Sequence, residues 1–331
     1  MKGRLENELK HKQSINKVLL TMPACVTDYY YKIQTYTEPV TCINYIYRIK
    51  HFLDFIHNDI TQINLMTVSQ YFESIRYTQK NGELTTTSNS YKQITWTVLN
   101  QFFDHLVYMK CLSDNPMKHI KRPKKKDEIK RVFLSMEDLN KMLLCAKKST
   151  HYLDSKKRKN KWKERDFLIM YLLMHTGMRE TALCEINLQD IDFKTGQLHV
   201  TDKRDKTHVY VITEELAQLL NKWIAARKEV LLGYPNTDAL FISEKRNRIS
   251  SDAVRSLVQK YSLEALGQAI TPHKLRASFV SLYYQASGND IEATKEAVGH
   301  SSIATTSRYI VKQNDSRAEA ARFMSDNLIL S

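Results

Sequence analysis

The chain has little of what bends or crosslinks a backbone: 8 Gly, 6 Pro and 5 Cys in 331 residues. Scarce Gly and Pro beside abundant Lys, Leu, Ile, Glu, Met and Ala favour a mostly helical protein with few tight turns. The cysteines (Cys25, Cys42, Cys111, Cys145 and Cys184) are odd in number and far apart. No pair has metal-ligand spacing, so they read as free thiols in a reducing cytoplasm, most simply as small buried apolar groups. No apolar run approaches the length of a membrane span. The stretch MKGRLENELKHKQS lacks the apolar centre of a secretory signal and the Gly at position 2 that myristoylation needs. Negative charge is also in deficit: 36 Asp and Glu face 50 Lys and Arg, a net charge of +14. Such an excess speaks about partners rather than fold. Nucleic acid is the leading candidate, and an acidic membrane surface is the weaker one.

The length suits two domains, and 42% apolar residues suffice for real cores. One compositional break dominates. MKHIKRPKKKDEIKR, residues 117–131, carries eight Lys or Arg against Asp127 and Glu128, and Asn115-Pro116 precedes it. Pro123 opposes a continuous helix and the charge opposes burial. The expected organisation is therefore a helical domain over 1–116, a basic linker over 117–133 and a second domain over 134–331. The linker is either a solvated tether or a strap along phosphates. In the second case Lys121, Arg122, Lys124, Lys125, Lys126, Lys130 and Arg131 are the candidate DNA contacts.

In the first domain, VTCINYIYRIKHFLDFIH places Ile43, Ile46, Tyr47, Ile49, Phe52, Leu53 and Ile56 at helical spacing. A second helix is expected near 67–77, with Val68, Tyr71, Phe72 and Ile75 inward. A third follows the Gly82 turn, with Ile94, Val98, Leu99, Phe102, Phe103, Leu106 and Val107, and a fourth is expected near 27–35. Together they make a compact bundle. After the linker, Ser135 and Asp138 read as a capping box opening a helix through Leu144. SKKRKNKWKER, residues 155–165, reads as a basic loop, either solvated or touching DNA. Phe167, Leu168, Tyr171 and Leu172 form an inward helical face that ends at Thr176-Gly177. From Ile191 to Ile212 the pattern changes to three short strands with two turns, and the remainder is again helical.

Four short stretches carry chemistry. In TPHKLRASF, Thr271 is a good N-cap and Pro272 a good first helical residue, so His273 and Arg276 share one side of a helix. In GHSSIATTSRYI, a Ser/Thr-rich segment follows His300 and delivers Tyr309. A tyrosine is a poor nucleophile at neutral pH unless cations lower the cost of the phenolate and stabilise a pentavalent phosphate. In HTGMRETALCEINLQDIDF, Arg179 sits just past a glycine turn, and its guanidinium can hold two phosphate oxygens at once. In the turn TDKRDKTH, Lys203 lies between two strands and suits protonation of a departing 5′ oxygen. Each stretch alone is weak, because a His-x-x-Arg arises by chance in a chain with 11 His and one Tyr among 18 is ordinarily core.

Their order and spacing together resemble the tyrosine recombinases of the phage-integrase family, over about residues 25–312. The family's Thr-Gly-x-Arg box matches Thr176 through Phe193, with its arginine on Arg179. Its hairpin lysine falls on Lys203, with Lys206 the lesser claimant. Its His-x-x-Arg falls on His273 and Arg276, its following His or Trp on His300, and its nucleophile on Tyr309.

The resemblance implies a mainly helical fold with a small antiparallel sheet. A helical core-binding domain and a mixed α/β catalytic domain would form a C-shaped clamp on DNA. It also implies cutting and rejoining of DNA through a 3′-phosphotyrosine, without metal, ATP or other cofactor. Four protomers would act on two inverted-repeat core sites through a Holliday junction, in the cytoplasm at the nucleoid. The errand could be integration, excision, transposition, inversion or resolution. The chain is too short for the extra arm-binding domain of some integrases, and the tail over 312–331 is expected to dock on a neighbouring protomer.

One departure stands out: the acid usually found three residues after the first arginine is replaced by Ala182, with Glu185 a conceivable substitute. Three other readings compete. A DNA-relaxing enzyme of the topoisomerase IB kind would share the chemistry, a non-catalytic DNA-binding regulator would share the charge, and an RNA-binding protein lacks support from any aromatic sheet motif.

Overall fold

The computed structural model describes residues 2–80, 82–124, 133–148, 156–202, 207–307 and 309, with backbone alone at 2–8, 10, 80 and 156–161. The chain divides into two compact units, residues 1–129 and 130–331.

The first unit contains α1 (Lys2–Leu19), α2 (Ala24–Ile33), α3 (Pro39–Phe55), α4 (Leu65–Ser74), a hairpin of β1 (Tyr77–Lys80) and β2 (Glu83–Thr86), and α5 (Asn89–Tyr108). Helix α3 buries the face its spacing marks: Ile46, Ile49, Phe52 and Leu53 are fully enclosed. Phe52 meets the edges of Tyr71 and Phe103 at 5.1 and 5.3 Å between centroids. Each such ring pair adds about 1 kcal/mol to the burial of its carbons. Side-chain caps set the helix starts, Asn64 accepting from the Thr67 N–H and Ser88 from that of Tyr91. Tyr47 and Ile94, expected inside, are half-exposed on the outer faces of α3 and α5.

The second helix ends at Ser74, earlier than its spacing suggested, because β1 and β2 follow it. The basic segment also begins differently from its composition. Met117 is fully buried in the first unit's core. The side chains of Trp96, Gln93 and Asn89 donate in turn to the carbonyls of Ile120, Pro123 and Lys124. Residues 117–124 thus lie along α5, held by backbone carbonyls, and Arg122 adds a side-chain bond to the Thr97 hydroxyl at 3.3 Å. Lys121, Arg122 and Lys124 are exposed there, whereas Lys125, Lys126, Lys130 and Arg131 lie outside the described residues.

The second unit runs α6 (Met136–Lys148), α7 (Lys156–Thr176), α8 (Glu180–Glu185), β3 (Ile191–Asp192), β4 (Gln197–Thr201), β5 (Thr207–Val211), α9 (Glu214–Val230), α10 (Ser251–Leu266), α11 (Pro272–Ala286), α12 (Ile291–Val298) and α13 (Ile303–Ser307). The capping box is present in both directions: Ser135 accepts from the Asp138 N–H and Asp138 from that of Ser135, each at 3.1 Å. The three strands form one antiparallel sheet, β3-β4-β5, with Leu198 and Val200 of β4 turned inward.

The basic stretch at 155–165 is not a loop over its length, since α7 already begins at Lys156. Trp162 and Arg165 are each 5% exposed. Arg165 is tied through Nε and Nη2 to Asp166 at 2.9 and 2.7 Å, and donates to the Ile242 carbonyl. The hydroxyl of Tyr261 donates to the other Asp166 oxygen. A buried ion pair with this many hydrogen bonds can recover its desolvation cost.

Candidate active site

Helix α7 has to stop abruptly for Arg179 to face outward. Thr176 folds its hydroxyl back to the Leu172 carbonyl and accepts from the Met178 N–H. Gly177 then takes φ +59°, and a Cβ there would lie 2.4 Å from the Phe279 ring of α11. Only glycine satisfies both the backbone and the close ring. Arg179 follows as the residue that caps α8. Its Nη1 is paired with the carboxylate of Asp202, the residue just past β4.

Arg276 lies one turn into α11 and is 4% exposed. It donates to the Gly177 carbonyl and, at 2.9 Å, to the Val298 carbonyl, joining the α7–α8 turn to the end of α12. Burial and then the neighbouring Arg179 lower its pKa, opposed by Tyr309, Tyr210 and Asp202. Its guanidinium stays charged in any case.

Helix α12 ends at Gly299, φ +65°, where a Cβ would sit 2.1 Å from the His208 ring of β5. That close approach sets His300 inward, 5% exposed. Its Nδ1 lies 3.0 Å from the Thr306 hydroxyl. Its Nε2 is buried with no hydrogen-bond partner among the described residues. Burial, then Arg276, Arg179 and His273, push its pKa down to about 4.

His273, in the first turn of α11, keeps an exposed edge. Its pKa is lowered by partial enclosure and then by Arg276, with Glu180 opposing. Tyr309 closes the group. Its N–H donates to the Thr306 carbonyl. Its ring lies 5.2 Å from that of His300 and 5.5 Å from that of His273.

Five of the six expected catalytic positions therefore converge: Arg179, His273, Arg276, His300 and Tyr309, all from the second unit. Lys203 and Lys206 lie outside the described residues, as does the tail over 312–331. Glu185, the suggested substitute acid, turns to Arg248 at 4.0 Å. The carboxylate whose charge reaches His273 is Glu180, which pairs with Arg255 at 2.8 Å. Sequence reasoning missed Asp202, Thr306 and His208. The acidic residue in TDKRDKTH and the hydroxyl-rich SSIATTS were their only signals. Among the described residues no group of His, Cys, Asp and Glu is placed to hold a metal ion. The arrangement is a cationic anion-binding pocket with a phenol at its rim, suited to nucleophilic attack on phosphorus.

The phage integrase family matches residues 133–316, more than half of the chain. A tyrosine recombinase XerC from Psychromonas ingrahamii is 32% identical over 64% of this chain and 67% of its own. The first curated relatives are matched over 62–67% of their length. The fold is shared with XerH site-specific recombinase bound to palindromic difH substrate, at TM-score 0.65 and 19% identity over 88% of this chain and 81% of that one. It is also shared with a lambda integrase tetramer bound to a Holliday junction, at TM-score 0.63 and 19% identity over 88% and 77%.

Proposed function

Because the chain belongs to the phage integrase family of tyrosine recombinases, we propose that it breaks and rejoins DNA strands at a specific site through Tyr309. The observation that carries this reading is the bracketing of the Tyr309 ring by His273 and His300 beside the buried Arg276.

In this mechanism Arg179 and Arg276 bind the non-bridging oxygens of the scissile phosphate and offset the charge that builds up in the transition state. Tyr309 attacks phosphorus as His273, neutral at pH 7, takes the phenolic proton. A bond forms from the phenol oxygen to phosphorus and the bond from phosphorus to the 5′ oxygen breaks. Lys203 supplies the proton that the 5′ oxygen takes. His300 donates through Nε2 to a phosphate oxygen, its Nδ1 accepting from Thr306, which fixes the tautomer. The 5′ hydroxyl of another strand reverses the step, so the phosphotyrosine conserves the bond energy and ATP is not consumed.

The substrate is double-stranded DNA with an inverted-repeat core site, held by a homotetramer through a Holliday junction. The first unit and the linker cations supply the non-specific part of the grip, in the cytoplasm at the nucleoid. Among the described residues no helix is long and apolar enough to cross a membrane.

The test uses nicked duplexes built from inverted repeats in the DNA flanking the coding sequence, one or two helical turns apart. A covalent protein–DNA band on a denaturing gel, absent in Tyr309→Phe, is the expected result. A shifted band without covalent attachment would make the protein a regulator. Attachment and relaxation without exchange between duplexes would make it a topoisomerase.

A further inference from the structure

We infer that Asp202 is a positioning residue that stands in for the scissile phosphate: in the DNA-free protein its carboxylate occupies Arg179, and DNA must displace it. This rests on the reading of Arg179 and Arg276 as the phosphate clamp.

Three observations converge on it. The first is the pairing itself. The Asp202 carboxylate binds Nη1 of Arg179, and its side chain is 13% exposed against 39% for the arginine. The anion thus sits on the inner side of the pair, where an incoming phosphate oxygen would go. A carboxylate and a phosphate present the same feature to a guanidinium, two oxygens sharing negative charge.

The second concerns the donors that remain. Arg276 spends hydrogen bonds on the Gly177 and Val298 carbonyls. Nε2 of His300 is buried and unpartnered among the described residues. Arg179 is the outer cation of the pocket, and its Nη1 already holds an anion.

The third is charge balance. Two arginines share a partly enclosed pocket with two imidazoles whose pKa values are lowered. Like charges this close repel, and a resident anion relieves the repulsion until substrate arrives. The influence of the Asp202 charge extends to Arg276 and to Tyr210 of β5, which places it within the pocket's field.

Such a stand-in raises the threshold for binding. Stray anions and non-specific phosphates must compete with a tethered carboxylate, whereas a phosphate delivered by the whole DNA interface is held by many other contacts and prevails. The apparent affinity for any lone phosphate is reduced by the fraction of time that Asp202 occupies Arg179.

The experiment titrates inorganic phosphate into the full chain at constant ionic strength and follows the imidazole Cε1–H resonances of His300 and His273. These are assigned by His300→Gln and His273→Gln. Asp202→Asn, which keeps shape and removes charge, should lower the phosphate dissociation constant about fivefold or more. Asp202→Glu, which keeps the charge, should stay near the parent. Asp202→Ser serves as a second neutral variant should the amide disturb the fold, and circular dichroism checks each. A dissociation constant unchanged or raised in both neutral variants overturns the proposal, because it would mean that Asp202 only orients Arg179. The titration reads the pocket without any DNA chemistry. Tighter phosphate binding with no Tyr309 adduct would sink the recombinase reading alone. A normal adduct with unaltered phosphate binding would sink the stand-in alone.

Discussion

The phenol ring of Tyr309 lies over the imidazole of His300, centroids 5.2 Å apart and planes 20° from parallel, while His273 approaches the same ring from 5.5 Å at 60°. Both imidazoles have lowered pKa values and are therefore proton acceptors or neutral donors at pH 7. Tyr309→Phe keeps the ring and its stacking and removes only the nucleophilic oxygen. It should abolish the covalent adduct while DNA affinity stays within about twofold and stability within about 0.5 kcal/mol. His273→Gln keeps the residue polar but removes the proton acceptor. The single-turnover cleavage rate should fall about a hundredfold or more, with DNA binding little changed. A His273→Gln enzyme that cleaves at the parental rate would remove this residue from proton transfer.

The glycine before Arg179 gives a second test. In Gly177→Ala the new methyl meets the Phe279 ring at 2.4 Å in a backbone at φ +59°. Phe279 lies on the helix that carries His273 and Arg276, so the clash is transmitted to two of the proposed site residues. The expected cost is about 1–3 kcal/mol of stability together with a marked loss of adduct formation. Phe279→Leu in the same chain relieves the clash but not the backbone strain, so it should restore part of both. Equal losses in the single and double variants, read by urea denaturation as a double-mutant cycle, would show the ring to be irrelevant.

How far the sequence reveals this architecture depends on the range of the interaction. The inward face of α3 is legible because a helix repeats its own pattern locally, and Ile46, Ile49, Phe52 and Leu53 fall where the period puts them. The capping pair Ser135 and Asp138 is legible for the same reason. The hairpin of β1 and β2 is not, because Tyr77, Thr78, Gln79, Glu83, Leu84 and Thr86 are all exposed, only Thr85 is half-buried, and no apolar alternation marks the strands. The start of α7 misleads by its charge: Trp162 is buried against Trp223, and Arg165 against Asp166 and the Ile242 carbonyl, and both Trp223 and Ile242 are distant in the chain. The site itself was visible as ordered short motifs. The partner of Arg179 was not, since an ion pair across 23 residues has no characteristic spacing.

The buried Arg165–Asp166 pair yields a third prediction. Asp166→Ala leaves Arg165 charged and enclosed beside Trp162, and strips the Tyr261 hydroxyl of its acceptor. Breaking one side of a buried pair costs about 3–5 kcal/mol. Unfolding monitored by Trp fluorescence should show the loss in the second unit, with the first unit's transition unmoved. A cost below about 1 kcal/mol would mean that water or another group replaces the carboxylate.

Salt dependence probes the exposed strap. Lys121, Arg122 and Lys124 lie on the part of the basic segment that follows α5. Arg122 also lies over the Trp96 ring, 5.7 Å from its centroid. If all three meet phosphates, replacing them with Ala should flatten the slope of log K against log salt by about 2–3, near 0.9 for each phosphate no longer neutralised. A parallel line displaced to weaker binding would assign them to the fold rather than to DNA.

His300 makes stability depend on pH in a defined direction. Its pKa stands at about 4 in the folded protein against an ordinary value of 6.5. Between those two values the unfolded chain binds more protons, so stability rises with pH across the window. Above about 6.5 both states are neutral and the group adds no slope. As pH falls toward 4 the penalty grows to at most roughly 3 kcal/mol, and below that it grows no further. His273, lowered for similar reasons, adds to the slope with the same sign. Urea denaturation at pH 7.5, 6 and 5 should show the decline, and His300→Gln, which cannot titrate, should make it shallower. Bound phosphate places an anion against Nε2 and favours the charged ring, so it should also reduce the slope in the parent but not in His300→Gln. A variant as pH-sensitive as the parent would move the titration to another group and leave His300 without its assigned place facing the phosphate.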